Sequence, residues 1–258
     1  MTKPDSKVIA RRLGNSTGHT RTSELLFHLR ASIHILRRAV SDVFEGTRRC
    51  EKMGDRSFSM VVGLSRSALW TDRRPGEAAY QRGKVQNLRT AAQELDGALL
   101  LPGHVFSFWR EIGRATRERG YAVGRMLQQG CMIPAVGGGL CQLSNALYDA
   151  ALQAGCEIVE RHAHSRVVPG SAAAAGRDAT VAWNYVDLRF RSRVPLLVRA
   201  QVTDDELVVT FCAFPGAVVP GEKRAGEDHA SSASQLASTC ATCEETSCFR
   251  HEGSEKLP

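Results

Sequence analysis

Apolar residues recur at three- and four-residue intervals in three stretches, and each predicts an amphipathic helix. Leu140, Leu143, Leu147, Ala150, Ala151 and Ala154 share one face of the first, with Gln142, Asn145, Asp149 and Gln153 on other faces and Gly155 as its stop. Tyr80, Val85, Leu88, Ala91, Ala92 and Leu95 mark a second helix within residues 77–96, ahead of Gly97. Leu25, Leu26, Leu29, Ile33, Leu36 and Val40 form a third stripe, with Arg30, Arg37 and Arg38 between them.

Strand signals follow the helices. Ile158 and Val159 start a short strand that carries His162 and His164, and the run from Gly176 to Val181 leads from a small-residue loop into a second. Pro102-Gly103 turns the chain into a strand around 105–108, and 195–202 with 206–214 alternate as a hairpin across Thr203-Asp204-Asp205. Helices followed mostly by strands predict an α+β fold with helices packed on an antiparallel sheet. The expected organisation is a basic helical extension over 1–58, a central domain over 59–215, a Gly/Ala/Ser/acid-rich flexible linker over 216–239 and a Cys/His tail over 240–251.

At 258 residues and 43% apolar content the chain can bury one substantial core, which excludes wholesale disorder. Residues 1–58 hold twelve Lys or Arg against six Asp or Glu and supply most of the formal charge of +7. A basic amphipathic helix there can lie on an anionic membrane or pack on the domain with its arginines in water. A pI near 9.2 permits non-specific nucleic-acid binding, yet no recognised motif accompanies it, so no specific nucleic acid is expected. No apolar run is long enough to cross a bilayer, and Met1 to Lys7 leads into no signal-peptide core; the expected address is cytoplasmic, with peripheral membrane contact through the basic helix.

The chemistry centres on Gly137-Gly138-Gly139-Leu140-Cys141-Gln142. Cys141 stands where a glycine loop becomes a helix, and the unpaired N–H groups of a first turn favour a thiolate. The alternative is a buried, inert cysteine. Downstream come His162, His164 and Asp178, the residue types of a thiol–imidazole–acid triad. Either histidine could serve as the base, with His164 preferred because His162 lies nearer the strand's start. Asp187 competes with Asp178 for the acid role. Cysteine on a helix with histidine and acid on strands is, by analogy of layout, the arrangement of transglutaminase-like and papain-like enzymes. Gly138, Gly139 and Gln142 would line the substrate cleft, and backbone N–H groups from Gly139 to Gln142 would hold an oxyanion. Arg161 and Arg177 would bind a substrate carboxylate or pair with Glu157 or Glu160. Trp109, Trp183 and Tyr185 are expected in the core, and His104 beside a turn carries no chemistry.

Several of these motifs, in fixed order, resemble one family. The runs Lys84-Val85-Gln86-Asn87-Leu88, Pro102-Gly103-His104-Val105-Phe106-Ser107-Phe108-Trp109, Arg119-Gly120-Tyr121, Gly137 to Asn145, Glu160-Arg161-His162-Ala163-His164-Ser165, Gly176 to Val181 and Asn184 to Phe190 are similar to the VanW family over about residues 80–192. That resemblance implies cell-wall or glycopeptide-resistance biology. In some exported, multidomain members the domain is understood as a cysteine transpeptidase making L,D cross-links in peptidoglycan, with the cysteine that matches Cys141. The expectation for this chain is an acyl-transfer or amide-cleaving enzyme on a peptidoglycan-related peptide or precursor. The competing class is a non-catalytic protein that recognises such a precursor through the same cleft.

In the tail, Cys240, Cys243, Cys248 and His251 are spaced C-x2-C-x4-C-x2-H. Three thiols and an imidazole within twelve residues suit tetrahedral zinc, with an iron–sulfur cluster as the alternative. Cys240 and Cys243 as a redox pair lack the surrounding strand–helix pattern, and the remaining reading is a plain reduced tail. No cofactor is required for the expected catalysis.

Overall fold

The structure, a computed structural model, describes residues 21–218 apart from 45–46, 55, 73, 75, 129–130 and 165–174. The proposed metal ligands Cys240, Cys243, Cys248 and His251, and all but the first residues of the linker, lie outside the described residues.

A five-stranded antiparallel sheet forms the frame, in the order β1 (Glu51–Lys52), β3 (Ala98–Leu100), β9 (Leu196–Val202), β10 (Glu206–Ala213) and β2 (Met60–Ala68). Helices α2 (Ala78–Leu95) and α4 (Cys141–Gln153) pack against this sheet and each other. Both follow from their periodicity: Val85, Leu88, Ala91, Ala92 and Leu95 of α2, and Leu143, Ala146, Leu147, Ala150 and Ala151 of α4, are buried together. Leu207, Val209 and Phe211 of β10 meet them from the sheet. Gly63 in β2 allows α4 to lie close, since a Cβ there would come within 2.2 Å of the Ala150 carbonyl oxygen. Residues 51–52 and buried Cys50 join the sheet and core although they fall within the basic N-terminal stretch.

A second antiparallel sheet, β4 (Val105–Ser107), β8 (Arg189–Arg191) and β7 (Glu157–Glu160), adjoins the short helix α3 (Phe108–Ile112). Ser107 caps α3 by accepting the Arg110 N–H at 3.2 Å. Strands β5 (Val123–Gln128) and β6 (Cys131–Val136) form a separate hairpin whose end delivers the glycine turn before α4. Among the described residues the protein is thus α+β, with four α-helices and antiparallel sheets.

Two expected strands change. The chain does not form a strand over 176–181: residues 177–181 are irregular, followed by an isolated bridge between Ala182 and Val186. Strand β7 ends at Glu160, so His162 and His164 lie beyond it in irregular backbone. The two segments share one backbone bond, from the Thr180 N–H to the His162 carbonyl at 2.7 Å, and the His164 and Ala179 N–H groups go to the Asp178 and Asn145 side chains instead of a continuous ladder.

Helix α1 (Arg21–Phe44) is tied to the second sheet by ion pairs. Arg38 meets Glu160 at 2.5 Å, and Asp42 bonds Arg189, which also contacts Asp187 at 3.0 Å. Asp42, Arg189 and Asp187 are buried. The apolar stripe of α1 stays exposed.

Candidate active site

Cys141 is the first residue of α4, at the end of the Gly137–Leu140 turn. Asn87 of α2 pins that turn: its Nδ2 donates to the carbonyls of Ala122 (3.0 Å) and Gly138 (2.9 Å), and its Oδ1 accepts the Ala122 N–H (2.7 Å). Gly139 has φ +96, a region that side chains disfavour, and an added Cβ would lie 2.3 Å from Lys84 Cγ. The Lys84 ammonium beneath it donates to the Leu69 carbonyl and Thr71 Oγ1. Burial pulls that ammonium down to about 8, against the opposing charge of Asp72.

Cys141 also differs from its neighbours of the same type. Cys50, Cys156 and Cys212 are buried, and burial pushes all three thiols up, Cys156 to about 12. Cys141 is only partly buried, with Sγ 3.8 Å from the Val181 carbonyl.

The structure brings Cys141, His164 and Asp178 together. His164 Nδ1 lies 2.6 Å from Asp178 Oδ2, and the same oxygen accepts the His164 backbone N–H at 2.7 Å. Cys141 acts electrostatically on the imidazole. Burial works against a charged His164, but its contacts with Cys141 and Asp178 outweigh it and hold the group above the ordinary value of 6.5. Burial likewise opposes the Asp178 carboxylate, and the His164 bonds and Arg161 charge prevail and hold it below 3.8.

His162 is not part of this cluster. Its ring is half exposed and its Nε2 lies 3.2 Å from Glu160 Oε1. Asp187 is buried elsewhere, accepting Ser107 Oγ–H at 2.6 Å and the Trp109 N–H at 3.2 Å beside Arg189. Trp109 is buried, its Nε1 donating to the Val186 carbonyl, and packs edge-on against partly buried Trp183. The His104 ring reaches the Arg48 carbonyl at 3.0 Å, away from this cluster.

The arginines pair differently from the expected Glu157 and Glu160. Arg161 donates to Asp178 Oδ1 (2.5 Å) and to its carbonyl (2.7 Å), and lies over the Tyr148 ring. Arg177 donates to Asp149 at 2.9 Å. The Gln142 side chain turns to β2, donating to Ser67 Oγ and the Ala68 carbonyl, while its backbone N–H serves the Gly139 carbonyl. That N–H is therefore already engaged in the first helical turn.

Two positioning residues escape sequence reasoning. Ser144 donates to the Ala179 carbonyl at 2.6 Å, and Asn145 accepts the Ala179 N–H at 2.7 Å. Together they fasten the irregular segment that carries Asp178 to the first turns of α4. The available signal is a pair of small polar residues one helical turn after Cys141, Ser144 being fully buried despite its hydroxyl.

Comparison with known proteins places this geometry in context. The family description "VanW like protein" matches residues 83–212, half of the chain, and spans both Cys141 and Asp178. The chain belongs to the VanW family. Vancomycin B-type resistance protein VanW of Enterococcus faecalis is 32% identical over 172 residues, which cover 64% of this chain and 62% of that protein. Uncharacterized protein YoaR of Bacillus subtilis is 35% identical over 132 residues, covering 50% of this chain and 43% of that protein. The match thus spans less than two thirds of either relative's length. No solved structure matches. Among the described residues no group of His, Cys, Asp and Glu is arranged to hold a metal, and no helix is long and apolar enough to cross a membrane.

Proposed function

We propose that this VanW-family chain is a cysteine-dependent acyl-transfer enzyme acting on a peptidoglycan-related peptide or precursor, and that it serves vancomycin resistance, for which its Enterococcus relative is named. The observation that carries the reading is the alignment of Cys141, His164 and Asp178, with Nδ1 of the imidazole 2.6 Å from the carboxylate. Since Nδ1 faces Asp178, Nε2 is the nitrogen left to exchange a proton with the thiol. In its logic, helix-borne cysteine with histidine and acid from neighbouring backbone, the site follows papain-like and transglutaminase-like enzymes.

In the proposed reaction His164 takes the Cys141 proton, and Sγ attacks the carbonyl of an amide in the donor peptide. The C–N bond breaks as His164 protonates the departing amine, leaving a thioester on Cys141. An acceptor amine then attacks that thioester, gives its proton to His164 and restores the thiol. Water in place of the amine makes the same steps a hydrolysis. Asp178 holds the tautomer and the imidazolium, while Arg161 keeps the carboxylate aimed. Of the glycine turn, partly buried Gly139 can meet the substrate, whereas Gly138, expected to line the cleft, is buried with its N–H on the Ala135 carbonyl and its carbonyl on Asn87.

A thiol-reactive probe on the native full chain tests this. Selective labelling of Cys141 is expected, lost on denaturation and in His164→Ala, and retained in His162→Ala. Labelling of Cys141 no faster than the buried cysteines, or unchanged in His164→Ala, would overturn catalysis and leave a precursor-binding protein.

A further inference from the structure

Helix α1 meets different surroundings on its two faces. Arg38 and Asp42 reach the domain through Glu160 and Arg189, and Ile35 beside them is partly covered. On the opposite face Leu26, Leu29, Ile33, Leu36 and Val40 are all exposed, Leu36 by 67%. Their spacing alternates three, four, three and four residues, the spacing of a coiled-coil seam over about two heptads.

In that register Leu26, Ile33 and Val40 occupy a positions, and Leu29 and Leu36 occupy d positions. Arg38 falls at f and Ile35 and Asp42 at c, so the residues that touch the domain are those a coiled coil turns outward. β-Branched Ile33 and Val40 at two of the three a positions, with leucine at d, favour two parallel strands. Charge agrees. Arg30 and Arg37 lie at e, while the g positions are Leu25, Ser32 and Ala39. A parallel pair sets e against g of the other helix, where the arginines meet uncharged side chains. An antiparallel pair sets e against e and brings arginines together.

We propose that α1 pairs with α1 of a second copy as a parallel two-stranded coiled coil, making the protein a dimer with its two catalytic domains on the outside of the seam. The buried Asp42–Arg189–Asp187 contacts fix each domain to its helix. The seam covers the apolar stripe that the monomer leaves in water, in a helix of 24 residues. A helix lying in a lipid interface presents a broader apolar face than this a/d stripe, which Arg30 and Arg37 bound on one side, while Ser32 interrupts the flank of Leu25 and Ala39 on the other.

Sedimentation velocity on the full chain tests the pairing. The expected result is a dimer that falls to half its mass in Leu29→Glu, Leu36→Glu double-variant protein, with unchanged circular dichroism of the folded domain. In Leu36→Cys, oxidation is expected to join two copies through residue 36 itself, identified by peptide mass spectrometry. A monomeric native chain overturns the proposal, including one that floats with phosphatidylglycerol vesicles. So does a dimer that survives the double substitution, an assembly of three or more chains, or a dimer that forms no disulfide between the two Leu36→Cys sites.

Discussion

Asn145 accepts the backbone N–H of Ala179 at 2.7 Å, joining a side chain one turn into α4 to the segment that carries the candidate acid. Ser144 takes the carbonyl of the same residue, so Ala179 is clamped at both polar atoms. Through this clamp a helix that begins with Cys141, the proposed nucleophile, also positions Asp178.

Asn145→Ala is therefore expected to leave a fully buried N–H unpaired and to cost about 1–3 kcal/mol in urea unfolding. Probe labelling of Cys141 should slow as well. Asn145→Asp keeps an oxygen acceptor and should restore the labelling rate. Equal loss in both variants would show that Asn145 only stabilises the fold.

His164 and Asp178 support each other over a defined pH range. The carboxylate is held below 3.8, so its contribution to stability is present above that value and fades as pH falls through the depressed one. The imidazole is held above 6.5, so its contribution is present below that value and fades as pH rises through the raised one. In Asp178→Asn, the imidazole midpoint followed by NMR should drop relative to the native chain. The stability gap between the two proteins should be widest between the two titrations and narrow on either side. A His164 midpoint that does not move in Asp178→Asn would contradict the assigned pair.

Gly139→Ala should destabilise the protein by about 1–3 kcal/mol, because its φ of +96 is strained for any side chain and its new methyl meets Lys84. Adding Lys84→Ala removes the Cγ clash at 2.3 Å but leaves the residue 84 Cβ at 3.0 Å and the torsion, so the double variant should recover only in part. Full recovery in urea titration would mean that contact alone excludes a side chain here.

The tail spacing C-x2-C-x4-C-x2-H leads to an expectation that elemental analysis can check on chain purified without oxygen. About one zinc per chain is expected, four protein ligands completing one tetrahedral site. Cys240→Ser with Cys243→Ser should abolish it without altering Cys141 labelling. Iron with inorganic sulfide would identify a cluster instead, and metal-free protein would remove both.

Helices α2 and α4 and the β9–β10 hairpin were legible in the sequence because their patterns depend on neighbours along the chain. Leu143, Leu147 and Ala151 fall on one face at 3.6 residues per turn whatever they pack against, and Leu207, Val209 and Phe211 alternate for the same local reason. Strand β2 was less visible: it pairs with β10 across the domain, and Gly63 and Ser65 fill inward positions where alternation would put large apolar residues. The residue types of the candidate site were also readable, since cysteine after a glycine turn, histidine and aspartate are conspicuous wherever they fall.

Which of those residues meet was decided only in three dimensions. Glu160 draws His162 away, Asp178 takes His164, and Asp187 is consumed by Ser107, Trp109 and Arg189. Each choice depends on a partner remote in sequence, and on side-chain clamps such as Asn145 that carry no periodic signal. The same holds for α1, whose sequence by itself determined an apolar stripe and a basic flank. Only the ion pairs of Arg38 with Glu160 and Asp42 with Arg189 settle that the stripe faces away from the domain, because periodicity defines the faces of a helix and long-range partners select which one is buried.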